Sequence, residues 1–148
     1  GNEPGHQTPF MYNYTDSPHK TQERVRLILA DEYSDGPGGL SGNDDAGQMS
    51  AWYVFASLGF YPLNPVSGEY MLSAPLFDRA VIRLADKRTM QFIRHGKSKQ
   101  SVYVSKALLN GQPLKTNMIT YKQLMAGGKL EFFMVDKLEE IIFNEQDE

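Results

Sequence analysis

The sequence contains no cysteine. That excludes disulfides, thiolate metal sites and cysteine nucleophiles, and it leaves the compartment open. No apolar run approaches a membrane span, and no signal peptide opens the chain. Neither sign of charge dominates: 15 Lys and Arg stand against 18 Asp and Glu, a net charge of −3. There is therefore no electrostatic footprint for nucleic acid. Internal repeats are absent, and His19 and His95 have no acidic or imidazole partners at metal-ligand spacing. What is present is a folded composition, 41% hydrophobic and 11% aromatic, not that of a disordered chain. A single domain of this length buries roughly two-thirds of its unfolded surface.

Glycine is concentrated where it matters. Residues 36–62 read Gly-Pro-Gly-Gly-Leu-Ser-Gly-Asn-Asp-Asp-Ala-Gly-Gln-Met-Ser-Ala-Trp-Tyr-Val-Phe-Ala-Ser-Leu-Gly-Phe-Tyr-Pro. The glycines let the backbone bend and admit a ligand close to the main chain. The loop delivers Asp44 and Asp45 to the first turn of an apolar helix expected over about residues 45–58. Free N–H groups and the positive end of the macrodipole stabilise a carboxylate there in its charged form. An ionised carboxylate beside open space serves as a general base or as a ligand for a hard cation. The bland alternative is an ordinary helix cap by Asn43 or Asp44.

Upstream, Ser17-Pro18 reads as a capping side chain followed by proline at the first helical position. Val25, Ile28, Leu29 and Tyr33 then recur at helical spacing, and the helix stops at Asp35-Gly36. His6 to Tyr14 predicts one or two helical turns. The helix after the glycine loop is apolar nearly all round through Trp52, Tyr53, Val54 and Phe55, so it is expected to be buried on most sides. Trp52 reads as core, not as a platform for a sugar. A single partner helix cannot cover all four side chains, so self-association through this face is expected.

Past Pro62 the period changes to two. Strands are expected around Tyr70, Ala80, Met90 and Val102, with a last one from Leu130. Asn110-Gly111 and Gly127-Gly128 read as hairpin turns, and residues 121–126 as one helical turn. The expected fold is α+β: an N-terminal helical segment over 1–63, an antiparallel β-rich segment over 64–135, and an acidic tail over 136–148 that reads as frayed.

Several motifs occur in an order that resembles glycoside hydrolase family 92. They are Gly-Asn-Asp-Asp-x-Gly-Gln-Met-Ser-Ala-Trp-Tyr-Val-Phe from residue 42, Leu-Gly-Phe-Tyr-Pro from residue 58, and Gly1-Asn2-Glu3-Pro4-x-His6 followed by Tyr12-Asn13-Tyr14 and Lys20-Thr21-Gln22. Ser73-Ala74-Pro75-Leu76-Phe77-Asp78 and Gly127-Gly128-Lys129-Leu130 continue the pattern, so the resemblance covers residues 1 to about 135. It implies a calcium-dependent, inverting, exo-acting alpha-mannosidase, with alpha-1,2 linkages the commonest activity, acting on mannose-containing glycans. It also implies that residues 1–63 end an alpha/alpha toroid of six hairpins.

The chain starts at Gly1, inside a motif and without methionine, and so reads as the C-terminal part of a larger enzyme. The upstream part of that enzyme is then a partner and holds the general acid. A periplasmic or secreted location is implied in the same way.

Inverting hydrolysis needs an acid at the departing oxygen and a base for water on the opposite ring face. The resemblance points to an acidic residue of the Asp-Asp motif as the base; Asp45 is favoured, with Asp44 as partner or alternative. The resemblance further implies Asn2 and Glu3 as calcium ligands. Their amide and carboxylate oxygens suit calcium, although Asn-Glu-Pro alone is merely a turn. His6 and Gln48 are candidates to hold the sugar, with Gln48 expected one turn after Asp44 on the same helix face. The sequence departs from the family at Asn43, where an acid is common, and in its tail. Two other readings remain at this point: a non-catalytic carbohydrate-binding or accessory module, and a structural domain whose acids cap helices.

Overall fold

The computed structural model describes residues 2–140. Two short 3-10 segments, Glu3–Gly5 and Thr8–Tyr14, lead into helix α1, His19–Asp31, and then helix α2, Gln48–Leu58. Eight strands and a short helix follow: β1 (Phe60–Asn64), β2 (Glu69–Leu72), β3 (Arg79–Arg83), β4 (Thr89–His95), β5 (Tyr103–Leu109), β6 (Gln112–Pro113), β7 (Met118–Thr120), α3 (Tyr121–Ala126) and β8 (Gly128–Val135). The expected Ser17 side-chain cap is not made. Pro18 occupies the capping position of α1, and the Ser17 and Pro18 carbonyls take the first N–H groups from Lys20 and Thr21.

The strands form a three-stranded sheet, β1-β2-β7, and a five-stranded sheet, β3-β4-β8-β5-β6. The first is antiparallel throughout. In the second, the β3–β4, β5–β6 and β5–β8 pairs are antiparallel as expected, and the one departure is β4 and β8, which run parallel with Phe92 opposite Leu130. The cause is local. α3 ends against the start of β4, where Arg88 donates to the Met125 carbonyl at 2.9 Å. The backbone of Gly127, at φ +78°, lies so close to Thr89 that a Cβ would sit 2.8 Å from its carbonyl oxygen. β8 therefore sets off from the same end as β4. Gly127-Gly128 is thus the exit from α3 and not a hairpin turn, whereas Asn110 and Gly111, at φ 51° and 81°, make the tight β5–β6 turn.

The helical stretch expected through residue 63 gives way to strand at Phe60. Of the acidic segment, Asp136 accepts a hydrogen bond from the Ser101 hydroxyl and Leu138–Glu140 form a 3-10 turn; residues 141–148 lie outside the described residues.

Two apolar clusters meet at α2. One gathers Phe10, Val25, Leu29, Trp52, Ala56, Tyr61 and Met71 from the N-terminal segment, both long helices and the small sheet. The other fills the space between the sheets, where Phe60 stacks on Phe92 at 5.1 Å. Phe55 packs against both. Trp52 is 1% exposed, as a core residue should be, while Val54 on the opposite side of α2 is 56% exposed. The end of α1 and the start of α2 are thereby fixed on one shared core, and that fixes the loop between them.

Candidate active site

The glycine-rich connection ends in an unusual backbone. Asp45, Ala46 and Gly47 have φ of 49°, 57° and 90°, three left-handed residues in succession. Left-handed alanine or aspartate costs about 1–2 kcal/mol, so such a turn survives only where its surroundings hold it. The consequence for the sequence reading is a correction: α2 starts at Gln48, not Asp45, and neither aspartate lies in its first turn. Alanine at position 46 carries no sign of this conformation in the sequence.

The Asp44 carbonyl accepts from the Met49 N–H at 3.1 Å, and its Oδ1 accepts from the Ser50 N–H at 2.9 Å. Asp44 thus caps α2 from outside, satisfying donors that a helix start leaves open. Asp45 holds the Gln48 N–H on its carbonyl at 3.1 Å. Its own carboxylate is exposed and makes no hydrogen bond or ion pair among the described residues. The two acids are therefore not equivalent: one is committed to the backbone and the other faces open space.

His6 joins this turn to the N-terminal motif. It is 7% exposed, its ring 5.7 Å from that of Trp52, while its carbonyl accepts the Trp52 indole N–H at 3.0 Å. Its Nδ1 lies 3.2 Å from the Gln48 amide nitrogen and its Nε2 3.0 Å from the Met49 sulfur. With the amide donating to Nδ1, the ring proton sits on Nε2. Burial lowers the His6 pKa, so the ring is neutral at physiological pH. Gln48 also reaches the Tyr61 hydroxyl at 3.4 Å. The two residues predicted to hold a sugar are thus in direct contact. Gln48 does not share a helix face with Asp44, because Asp44 precedes the helix.

Glu3 sits one 3-10 turn before His6. It is half-buried, and its Oε2 is buried with no hydrogen-bond partner among the described residues. An unpaired buried carboxylate oxygen is costly unless something compensates it, and a hard cation is what such a donor fits. Asn2 beside it is exposed. Among the described residues no group of three or more His, Asp or Glu side chains gathers to hold a metal. Asn2 and Glu3 would thus be two donors of a larger set.

Tyr33 and Tyr61 were not singled out from the sequence. Tyr33 carried a signal, its place in the α1 periodicity, but that signal pointed to core packing alone. It lies beyond the end of α1, its hydroxyl donating to the Met49 carbonyl at 3.0 Å and its ring stacked on Trp52 at 5.9 Å and 6°. Burial pushes its pKa up to about 12, with the Asp44 and Glu32 carboxylates adding to the effect. Glu32 is itself held below the usual carboxylate range, first by a hydrogen bond from the Ser41 side chain. Beside this corner an open groove is lined by Tyr33, Asp35, Gly39, Ser50, Tyr53 and Val54. Asp45 and Gln48 are exposed on the turn, His6 is buried with both ring nitrogens engaged, and none of the three is among the residues lining this groove.

Residues 1–136 match the glycosyl hydrolase family 92 catalytic domain. A protein described as an uncharacterized secreted glycosidase of Arthroderma benhamiae is 31% identical over 134 residues, which cover 88% of this chain and 17% of that protein. A family GH92 alpha-mannosidase of Bacteroides thetaiotaomicron, solved with mannoimidazole, superposes with a TM-score of 0.88 at 37% identity, over 93% of this chain and 18% of that one. A family GH92 inverting mannosidase of the same species gives 0.82 at 35%, over 92% and 18%. The chain thus spans under a fifth of the length of these relatives. On the match over residues 1–136, it belongs to glycosyl hydrolase family 92.

Proposed function

We propose that this chain supplies the general-base side of an inverting, exo-acting alpha-mannosidase that removes mannose from glycans, with alpha-1,2 linkages as substrate. The general acid and the remaining hairpins of an alpha/alpha toroid come from polypeptide preceding Gly1. The enzyme acts outside the cytoplasm, secreted or periplasmic, and the printed name of the Arthroderma relative, a secreted glycosidase, supports secretion; no helix among the described residues is long and apolar enough to cross a membrane. The observation that carries this reading is the Asp45 carboxylate, exposed and unpaired on a turn that His6 and Gln48 tie to the N-terminal motif.

In an inverting enzyme the base and acid stand roughly 6.5–9.5 Å apart, leaving room for a water beneath the anomeric carbon. Asp45 takes a proton from that water as its oxygen attacks, and the acid protonates the departing glycosidic oxygen. Asp44 keeps the turn in place through the Ser50 N–H. Gln48, exposed and braced by the neutral His6 ring, holds sugar hydroxyls by hydrogen bonds. Asn2 and Glu3 would hold calcium, whose chemistry when bound is to grip sugar hydroxyls and favour a distorted ring. The Glu3 Oε2 without a partner fits that donor role.

In the longer enzyme, Asp45→Asn is expected to leave folding intact and lower kcat by about 10²–10⁴, the usual effect of losing a general base. Proton NMR of the first-formed mannose is expected to show the beta anomer. Wild-type turnover in the Asp45→Asn variant, or an alpha first product, would refute the assignment. Glu3→Gln is expected to weaken calcium affinity, read by calorimetry, without altering the circular dichroism. The isolated 148-residue chain is expected to turn over no alpha-1,2-mannobioside.

A further inference from the structure

We infer that Tyr33 is the positioning residue of this site: it sets the direction of the Asp45 carboxylate by clamping Met49 from outside the strained turn. The inference rests on the reading of Asp45 as the base. Met49 is where the site's separate pieces converge. Its N–H is bound by the Asp44 carbonyl at 3.1 Å, its sulfur lies 3.0 Å from His6 Nε2, and its carbonyl accepts the Tyr33 hydroxyl at 3.0 Å. Within the first turn of α2 that carbonyl is, among the described residues, the one tied to a side chain from another segment. A tyrosine hydroxyl here links the far end of the glycine loop directly to its near end.

The clamp is itself well held. The ring lies flat on Trp52, 5.9 Å away at 6°, and leans on Tyr53 at 5.0 Å. The backbone of Tyr33 pairs with Leu40 across the glycine loop, and the Ser34 N–H is held by the Gly39 carbonyl at 2.9 Å. The loop is thus closed at its base, and the tyrosine has little freedom to let go. Three successive left-handed residues relax toward ordinary conformations if one restraint is removed. A carboxylate displaced by about 1 Å can lose on the order of 10²-fold in rate while substrate binding elsewhere persists.

Tyr33→Phe tests this because it keeps the ring on Trp52 and removes only the hydroxyl. In the longer enzyme, with rates normalised to folded protein, kcat is expected to fall about ten- to a hundredfold while KM changes less than about threefold. Tyr121→Phe, exposed on α3 in the β-rich part of the chain, is the comparison and is expected to leave kcat unchanged. A Tyr33→Phe enzyme with wild-type kcat overturns the inference, as does one whose loss is wholly in KM. Asp45→Asn is measured alongside. If it is inactive while Tyr33→Phe is fully active, the base assignment stands and this inference falls. If Asp45→Asn is fully active, both fall.

Discussion

Replacing Ala46 with glycine probes the strained turn without touching any contact. Ala46 is exposed and sits at φ 57°, so the change removes a Cβ that meets solvent and little else. A non-glycine residue in the left-handed region carries a cost of about 1–2 kcal/mol. Glycine lifts that cost but adds freedom to the unfolded chain, worth about 0.4–1 kcal/mol in the opposite direction. The difference favours A46G by about 0.5–1 kcal/mol. For a domain of this size each kcal/mol moves the midpoint by about 2–4 °C, so Tm is expected to rise by about 1–4 °C. Calorimetry on the purified chain, with a urea titration as a second measure, reads it directly. A fall in Tm would show that the turn stores no strain and that the surroundings select it without opposition. In the longer enzyme the same variant is expected to lower kcat, because a relaxed turn no longer aims Asp45; stability and activity then move in opposite directions.

Asp44→Ala is expected to destabilise the chain by about 1 kcal/mol through the lost Ser50 cap, whereas Asp44→Asn keeps most of that stability; equal urea midpoints for Asp44→Ala and wild type would contradict the capping role. His6 gives a pH signature. Its pKa is lowered from 6.5 by burial, so the unfolded chain takes up a proton before the folded one does. The contribution is complete above the ordinary histidine value and is lost as pH falls through the lower folded one. Tm measured from about pH 8 to 5 is expected to drop more steeply in wild type than in His6→Gln, and identical slopes would refute it.

The glycine loop, the apolar helix after it, the β5–β6 turn and the short α3 were all legible, because each has a local cause. α3 even carries its own start signal, the Thr120 side chain bonded to the Gln123 N–H and the Gln123 side chain returning to Thr120. β1 was hidden by Pro62, which reads as a break, although Phe60 and Tyr61 before it face the core. The parallel β4–β8 pair was invisible because its partners are separated by three strands and a helix in the chain. At the site, the acids, His6 and Gln48 could be named from motifs. The division of labour between Asp44 and Asp45 could not, since it follows from left-handed backbone at Asp45, Ala46 and Gly47 that the residue types at 45 and 46 do not announce.

The position of β8 has a consequence for how the chain reaches this state. Consecutive strands β4 and β5 are not neighbours in the finished sheet; β8, which follows both in the chain, lies between them. Until residues 128–135 are available, β4 and β5 each lack the neighbour that stands between them in the native sheet. Completion of that sheet therefore waits on β8 and not on the helices that flank the acidic turn, and slow elongation just before residue 128 is expected to lengthen the wait.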